Sequence, residues 1–182
     1  MPQPDVLTLP DGAPAGPPQP YCTFRLGDGL YGVDIRLVHS INLPPPLTPI
    51  PHAPPAVRGY VNLRGQVQLV LDVKRLLRLG TTESTPETRL VLLQPDGGDP
   101  FGVLVDRVGD IAGLRPDQVE KHQPSASDPD DPDAVTAEEL LAGVGKLDGE
   151  LLILLDARRL PDAVRRGLAR GEPPTAHPGD TP

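Results

Sequence analysis

The segment GYVNLRGQVQLVLD (59–72) decides the fold, because the chain contains it twice. The second copy, GVGKLDGELLILLD (143–156), aligns with it without a gap, from the first glycine to the closing aspartate. In each copy two apolar stretches flank a central glycine, Gly65 or Gly149. A glycine that tolerates positive φ between two apolar runs is typical of a tight hairpin turn. We therefore predict a duplicated β-hairpin in which both glycines are structural.

A second pair of matching segments lies upstream of this repeat. YGVDIRLVHSI (31–41) and FGVLVDRVGDI (101–111) match without a gap at their aromatic, glycine, valine and isoleucine positions. A whole module is therefore duplicated, with a first copy of approximately residues 21–80 and a second of approximately 88–160. Two copies of one small module normally pack across a pseudo-twofold axis. The seam between them is the expected place for a binding groove.

Composition favours β-structure for the middle of the chain. Of 182 residues 37% are apolar, but there is no Trp and there are only two Phe and three Tyr, so we expect a core of Leu, Val and Ile. Short apolar runs alternate with turn residues such as GDG (27–29), and helical stretches are few, at 73–79 and 135–142. We predict an all-β fold of two small β-barrels related by internal duplication, with short helices.

Proline marks the ends of the folded part. Residues 1–20 and 166–182 are rich in proline and poor in apolar side chains, so we predict two disordered tails around a domain of residues 21–165. The start of the chain has neither the positive charge nor the apolar run of a secretory signal. The longest apolar runs, such as 151–155, are far too short to span a membrane. We therefore expect a soluble protein without direct membrane insertion.

The net charge of -8 disfavours several classes of partner. A negative chain repels phosphate backbones and anionic membrane surfaces, and few aromatic side chains are present to stack on bases. We expect no nucleic-acid partner. Cys22 is the single cysteine, so an intramolecular disulfide cannot form, which fits a reducing cytoplasm.

The sequence lacks the motifs of metal sites and of catalysis. Four histidines are scattered without metal-ligand spacing: His39, His52, His122 and His177. The acidic loop 125–133 lacks the glycine turn and terminal glutamate of a calcium-binding loop. There is no phosphate-binding glycine loop, no nucleophile elbow and no supported Cys-His couple. We expect no metal, no cofactor and no enzymatic activity.

Asp72 and Asp156 are carboxylates that the repeat relates to each other. Acid-base catalysis needs two carboxylates held close together in different environments. The repeat places each aspartate at the end of a strand and before a short helix, where its side chain can accept hydrogen bonds from free backbone amides. We therefore interpret both aspartates as structural caps.

The two turn tips differ in charge. The first copy has Asn62 and Arg64 where the second has Lys146 and Asp148, so the fold tolerates opposite charges at this position. Arg64 is therefore a candidate functional residue. The alternative is a solvated surface arginine, since exposed charges contribute little to stability.

Several segments, in their order along the chain, resemble the CheW-like family of chemotaxis coupling proteins. They are YCTFRLGD (21–28), YGVDI (31–35), IPHAP (50–54), GYVNLRG (59–65), VQLVLD (67–72), FGVLVDRV (101–108) and the repeat of 143–156. The resemblance covers approximately residues 21–160. The turn NLRG (62–65), followed by an apolar strand that ends in aspartate, is a quite specific part of it.

The resemblance implies a non-enzymatic adaptor of two five-stranded β-barrels, which joins a CheA-type histidine kinase to the cytoplasmic tip of chemoreceptors, the methyl-accepting proteins. It implies a cytoplasmic protein that is recruited to receptor arrays at the membrane. The receptor hairpin is expected in the groove between the barrels, near Arg64 and the apolar positions Val38, Val105 and Val108. The regulatory domain of the kinase resembles the same fold and is expected to pair with exposed strands and turns.

Two other functions stay open on the sequence. One is a stand-alone regulatory module that binds the kinase without engaging a receptor. The other is a β-barrel enzyme that acts through Asp72 and Asp156, which requires both carboxylates to reach one substrate. Structural roles in the turns are predicted for Asn62, Gly65 and Gly149.

Overall fold

The computed structural model describes residues 16–122 and 137–169. In these ranges the chain forms eleven strands: β1 (Gln19–Leu26), β2 (Gly29–Asp34), β3 (Val38–Asn42), β4 (Val57–Leu63), β5 (Gln66–Asp72), β6 (Arg89–Leu93), β7 (Phe101–Val105), β8 (Arg107–Leu114), β9 (Val119–Lys121), β10 (Leu141–Leu147) and β11 (Glu150–Leu155). Two α-helices come after β5 and β11: α1 (Val73–Leu76) and α2 (Leu160–Ala169). The prediction of an all-β fold with short helices is confirmed.

The strands form two sheets. One sheet has six strands in the order β8-β1-β2-β11-β10-β9, and the other has five in the order β3-β6-β7-β5-β4. Neighbouring strands are antiparallel except for the pairs β2–β11 and β5–β7, which are parallel. Among the described residues no ladder joins the first strand of a sheet to its last. Hydrogen bonding therefore does not close the two five-stranded barrels that the resemblance implied.

The two sequence copies exchange strands. The hairpin β1–β2 belongs to the first copy but pairs with β8 and β11 of the second, and the hairpin β6–β7 of the second copy pairs with β3 and β5 of the first. Each sheet is therefore built from both copies, so residues 21–80 and 88–160 are not two separate barrels. The central pairs β2–β11 and β5–β7 are parallel, and each joins strands that a long stretch of chain separates, as parallel pairing requires.

The exchange preserves the symmetry of the duplication. Leu69 pairs with Phe101 across β5–β7, and the equivalent residues Ile153 and Tyr31 pair across β11–β2. The hairpins β4–β5 and β10–β11 also have a shift of register at equivalent positions. A pseudo-twofold relation therefore connects the two sheets, and β9 is the strand that breaks it.

The apolar core has three parts. The largest cluster fills the seam between the sheets and takes side chains from both copies, among them Phe24, Tyr31 and Phe101. Smaller clusters lie on the opposite face of each sheet: Leu30, Ala112, Leu114, Leu152 and Leu154 in the six-stranded sheet, and Val61, Val70, Leu90, Leu92 and Leu104 in the five-stranded sheet. The middle of the seam is thus packed core, and a partner can reach the seam only at its edges.

Both ends of the domain lie beyond the predicted boundaries. β1 begins at Gln19, so the end of the predicted tail 1–20 belongs to a strand. α2 extends to Ala169, beyond residue 165, because its residues Leu160 and Val164 pack into the seam core. Residues 1–15 and 170–182 of the predicted tails, and the acidic loop 125–133, lie outside the described residues.

The two predicted helices of the repeat are shorter than expected. The segment 73–79 is helical only at Val73–Leu76. In place of a helix at 135–142, a 3-10 turn covers Ala137–Leu140, and β10 starts directly after it. The strand takes these residues because Leu141 pairs with Leu155 and packs on the seam core.

Candidate functional site

A row of side chains crosses each sheet on the face toward the seam. Cross-strand partners stand on the same face of a sheet. In the five-stranded sheet the register gives the row Val38, Leu93, Phe101, Leu69 and Tyr60. In the six-stranded sheet it gives the equivalent row Val108, Phe24, Tyr31, Ile153 and Val144. Val38 and Val108 therefore occupy the same place in the two halves, on the edge strands β3 and β8.

Each of these valines has an exposed isoleucine further along its strand. Val38 and Val108 are half-buried against the seam core, while Ile41 is 42% exposed and Ile111 is 65% exposed. The partners of both isoleucines across the ladder are buried residues of the seam core, so the isoleucines stand on the seam-facing side. Edge strands offer apolar side chains and free backbone groups to another protein. We call these four residues the seam edge.

The family resemblance implied a role for Val38 and Val108 but not for Ile41 and Ile111. A signal was present, because both isoleucines recur at the end of the matching segments 31–41 and 101–111. Matching apolar residues in two copies indicate core positions. The strand order was needed to show that these particular positions lie at the edges of the sheets.

Val105 does not belong to this surface. It is fully buried in the seam core, because β7 is the middle strand of its sheet and is buried along its whole length. A partner would have to open the core to contact it. The structure gives Val105 a packing role beneath the seam edge.

Arg64 stands exposed at the tip of the β4–β5 hairpin. The φ angles of Arg64 and Gly65 are 53° and 85°, and those of the equivalent Asp148 and Gly149 are 49° and 84°. Two successive left-handed residues define a type I′ turn, which requires the glycine in both copies. The Oδ1 atom of Asn62 accepts a hydrogen bond from the Gly65 amide at 2.9 Å. The geometry of the turn is therefore independent of the charge at its tip.

The hairpin tips form a second candidate surface. Tyr60 is the β4 residue in the same cross-sheet row as Val38. Arg64 directly follows the last residue of β4. Next to the tips, Val67 is 66% exposed and the equivalent Leu151 is 56% exposed. Both lie on the seam-facing side, because each is two residues before a residue of the row, Leu69 or Ile153. We call Arg64, Val67, Asp148 and Leu151 the hairpin tips.

A cleft beside the first tip widens this surface. It has a volume of about 540 Å³ and lies between β5, the loop 94–100 and the start of α2. Val67 and Leu69 supply apolar lining, and an ion pair of 2.9 Å between Arg158 and Asp96 borders it. The cleft has room for one or two apolar side chains of a partner.

An ion pair fixes the chain where it enters β3. Arg36 donates hydrogen bonds to the Asp34 carboxylate from its backbone amide and its guanidinium, both at 3.0 Å, and Gln19 Nε2 donates at 2.7 Å. These bonds, above all those of the Arg36 side chain, hold the pKa of Asp34 below its usual value. They connect β1 and β2 to the turn before Val38 and so position the seam edge.

Asp72 is fully buried and all its hydrogen bonds are structural. Its Oδ1 atom accepts from the Lys74 amide at 3.1 Å and from the Thr82 hydroxyl at 2.9 Å. Its Oδ2 atom accepts from the Thr82 amide at 2.9 Å and from the Arg58 guanidinium at 3.1 Å. The carboxylate therefore caps α1 and holds the following loop, and it has no face open to a substrate.

Asp156 makes the same backbone contact in the second copy. Its Oδ1 atom accepts from the Arg158 amide at 3.1 Å, which is the position equivalent to Lys74. Its side chain is 25% exposed and forms an ion pair of 3.2 Å with Arg159. Asp72 ends β5 and Asp156 directly follows β11, in different sheets, so the structure assigns each one to its own turn.

Residues 16–122 and 137–169 contain neither a metal-binding cluster nor a membrane-spanning helix. In these ranges no group of three or more His, Cys, Asp or Glu side chains is arranged to hold a metal ion. Over the same stretches no helix combines the length and the apolar character needed to cross a membrane.

The fold and its surfaces define a class of protein: a duplicated two-sheet β-protein with apolar side chains exposed at equivalent edges. A family model described as a CheW-like domain matches residues 20–165. The chain belongs to the CheW-like family.

Individual relatives agree with this membership. Protein FrzA of Myxococcus xanthus is 34% identical over 161 residues, which are 87% of this chain and 95% of that protein. Chemotaxis protein CheW of Klebsiella aerogenes is 32% identical over 144 residues, which are 78% of this chain and 81% of that protein. The crystal structure of the scaffolding protein TtCheW from Thermoanaerobacter tengcongensis superposes with a TM-score of 0.65 at 25% identity, and the match covers 77% of this chain and 85% of that one.

Proposed function

We propose that this protein is a non-enzymatic signalling adaptor, which couples a CheA-type histidine kinase to chemoreceptors in chemotaxis or a related motility pathway. Relatives that bear the names chemotaxis protein and scaffolding protein support the pathway and the type of role. The observation that carries the proposal is the pair of apolar surfaces, the seam edge and the hairpin tips, repeated at equivalent places in both halves of the molecule. An adaptor needs two binding surfaces that can be occupied together.

The seam edge is the proposed receptor site. Val38 and Ile41 on β3, and Val108 and Ile111 on β8, present aliphatic side chains at equivalent edges of the two sheets, and each edge can take the apolar face of a receptor helix. Burial of apolar surface contributes about 25 cal/mol per Å². A helix that lays its apolar face on such a surface uses a common mode of peptide recognition.

The hairpin tips are the proposed kinase site. A regulatory domain of the same fold has hairpins of its own and can pair with strands and turns at these tips. Val67 and Leu151 supply apolar contacts, and Arg64 can donate a charge-assisted hydrogen bond to a carboxylate or carbonyl of the kinase. The resemblance implied a place for Arg64 near the receptor groove. We assign it to the kinase site instead, because it stands beside Val67 and beyond the row that contains Val38.

Co-sedimentation with receptor-bearing membranes, in the absence of kinase, tests the receptor site. We expect the wild-type protein to sediment with the membranes and the double variant Ile41→Asp, Ile111→Asp to stay in the supernatant. Leu79→Asp is the matched control, since Leu79 is 46% exposed but belongs to neither surface. Co-sedimentation of the double variant at the wild-type level would contradict the assignment.

A pull-down with the isolated kinase tests the other half of the proposal. The Ile41→Asp, Ile111→Asp variant should retain the kinase like the wild type, because the hairpin tips are unchanged. If the wild type retains the kinase but never sediments with receptor membranes, the protein is a stand-alone regulatory module and the coupling proposal is wrong.

A further inference from the structure

The crossing from β3 to β4 contains the proline-rich segment LPPPLTPIP (43–51). Residues 43–47 belong to no helix or strand. The segment is anchored at Thr48, whose amide and carbonyl bond to the carbonyl and amide of Tyr60, both at 2.8 Å. Leu47 packs on the apolar cluster of the five-stranded sheet, on the face opposite the seam. The segment is therefore anchored to the sheet at Leu47 and Thr48.

Three of its exposed side chains, those of Leu43, Pro46 and Pro49, lie three residues apart, and Thr48 is exposed as well. Proline fixes φ near -65° and restricts the residue before it to extended backbone, so Leu43 to Pro46 must follow a polyproline II path. This helix has three residues per turn, and every third side chain lies on one side. Leu43 is 69% exposed, and Pro46 and Pro49 are exposed. The residues between Leu43 and Pro46, and Leu47 after them, are half-buried against the sheet. Leu43 and Pro46 therefore lie on one outward side of this helix, and Pro49 adds an exposed proline three residues further on.

The fold does not require these prolines. Thr48 covers the edge of β4 at Tyr60, and in the second copy Glu120 of β9 covers the edge of β10 at the equivalent Val144. β9 does so as a three-residue strand without proline. The first copy forms a single bridge, and the ladder cannot continue at Pro46, because proline has no amide to donate. These prolines reduce the hydrogen bonding between the segment and the sheet, so the stability of the fold does not account for them.

We propose that the outward side of residues 43–49, which we call the proline ridge, docks a partner domain with an aromatic-lined groove of the kind that binds polyproline II segments. Such grooves seat prolines between aromatic rings. The ridge is already extended and anchored, so binding orders little additional chain. No charged residue occurs from Leu43 to Pro51, which fits recognition by shape and apolar contact.

Tryptophan fluorescence of a WW domain and of an SH3 domain, each titrated with the full-length protein, tests the ridge. The protein has no Trp, so every change in signal comes from the aromatic groove of the probe. We expect at least one of the two probes to bind, and the variant Pro46→Ala, Pro49→Ala to weaken that binding about tenfold. The variant Pro17→Ala, Pro18→Ala removes two exposed prolines elsewhere and should bind like the wild type.

The variant Leu43→Asp tests the proline ridge independently, because it leaves every proline in place. Leu43 is so exposed that the substitution should not disturb the fold, and we expect it to weaken probe binding as well. The proposal is overturned if neither probe binds the wild type. It is also overturned if the ridge variants bind as tightly as the wild type, or if the Pro17→Ala, Pro18→Ala variant loses binding to the same degree.

Discussion

Gln68 and Leu152 occupy equivalent positions on β5 and β11, but only Leu152 matches its surroundings. Leu152 is fully buried in the apolar cluster of its sheet. Gln68 is 5% exposed, pairs with Val61 across the ladder, and its side-chain oxygen has no hydrogen-bond partner among the described residues. A buried polar group without a partner lowers stability by about 1–3 kcal/mol. One half of the molecule therefore carries an unfavourable core residue that the other half lacks.

Gln68→Leu should stabilise the protein. The substitution copies Leu152 and removes the unpaired oxygen, so we expect the free energy of unfolding to rise by about 1–2 kcal/mol. Urea unfolding with an unchanged m-value measures the effect. The reciprocal control, Leu152→Gln, should destabilise the protein. A lower unfolding midpoint for Gln68→Leu would show that its amide has a role in the native core.

Asp72→Asn should lower the free energy of unfolding much more than Asp156→Asn does. Asp72 is fully buried and accepts four hydrogen bonds, one of them from Arg58, so we expect a loss of about 3 kcal/mol. Asp156 is partly exposed and keeps its cap contact, so we expect a loss of less than about 1 kcal/mol. Chemical unfolding of the two variants side by side gives the comparison. Equal losses would contradict the asymmetry between the two caps.

Asp34 should make stability depend on pH in acid. Its pKa is lowered in the folded state, chiefly by hydrogen bonds from the Arg36 side chain, so the unfolded chain binds a proton first as the pH falls. The stabilisation is complete above the usual value of 3.8 and is lost as the pH falls from there through the lowered pKa. Asp34→Asn should flatten this part of a curve of unfolding midpoint against pH. Asp99→Asn, at an exposed carboxylate, should leave the curve as it is in the wild type.

Arg64→Asp should leave the fold intact and reduce coupling. Asp148 already occupies the equivalent place in a turn of the same φ angles, so thermal melting should change little. Receptor-dependent stimulation of kinase autophosphorylation should fall, because the charge that faces the partner is reversed. Asp148→Arg, the reciprocal change, serves as the matched variant at the other tip. Full stimulation with Arg64→Asp would count against a partner contact at this tip.

The sequence was sufficient for the local structure of the repeat. The type I′ turns at Gly65 and Gly149 and the caps at Asp72 and Asp156 depend on contacts within a few residues, and such contacts leave a direct pattern in the chain. The all-β class followed from many short apolar runs for the same reason.

The pairing of strands between the copies could not be read in this way. Equivalent strands have similar patterns, so β2 matches β11 of the other copy as well as it matches β5 of its own, and only tertiary packing decides between them. The position of Val105 depends on this choice, since it becomes the middle of a sheet instead of the wall of a groove. The exposure of Ile41 and Ile111 depends on it in the same way.

The exchange of hairpins also constrains how such a molecule can arise. In a chain with only one copy, β1 and β2 would lack their neighbouring strands. Such a chain could complete both sheets only by exchanging this hairpin with a second identical chain. The present polypeptide is equivalent to that intertwined homodimer with its subunits fused end to end. Because both halves belong to one chain, each can differ from the other, and one tip is basic at Arg64 while the other is acidic at Asp148.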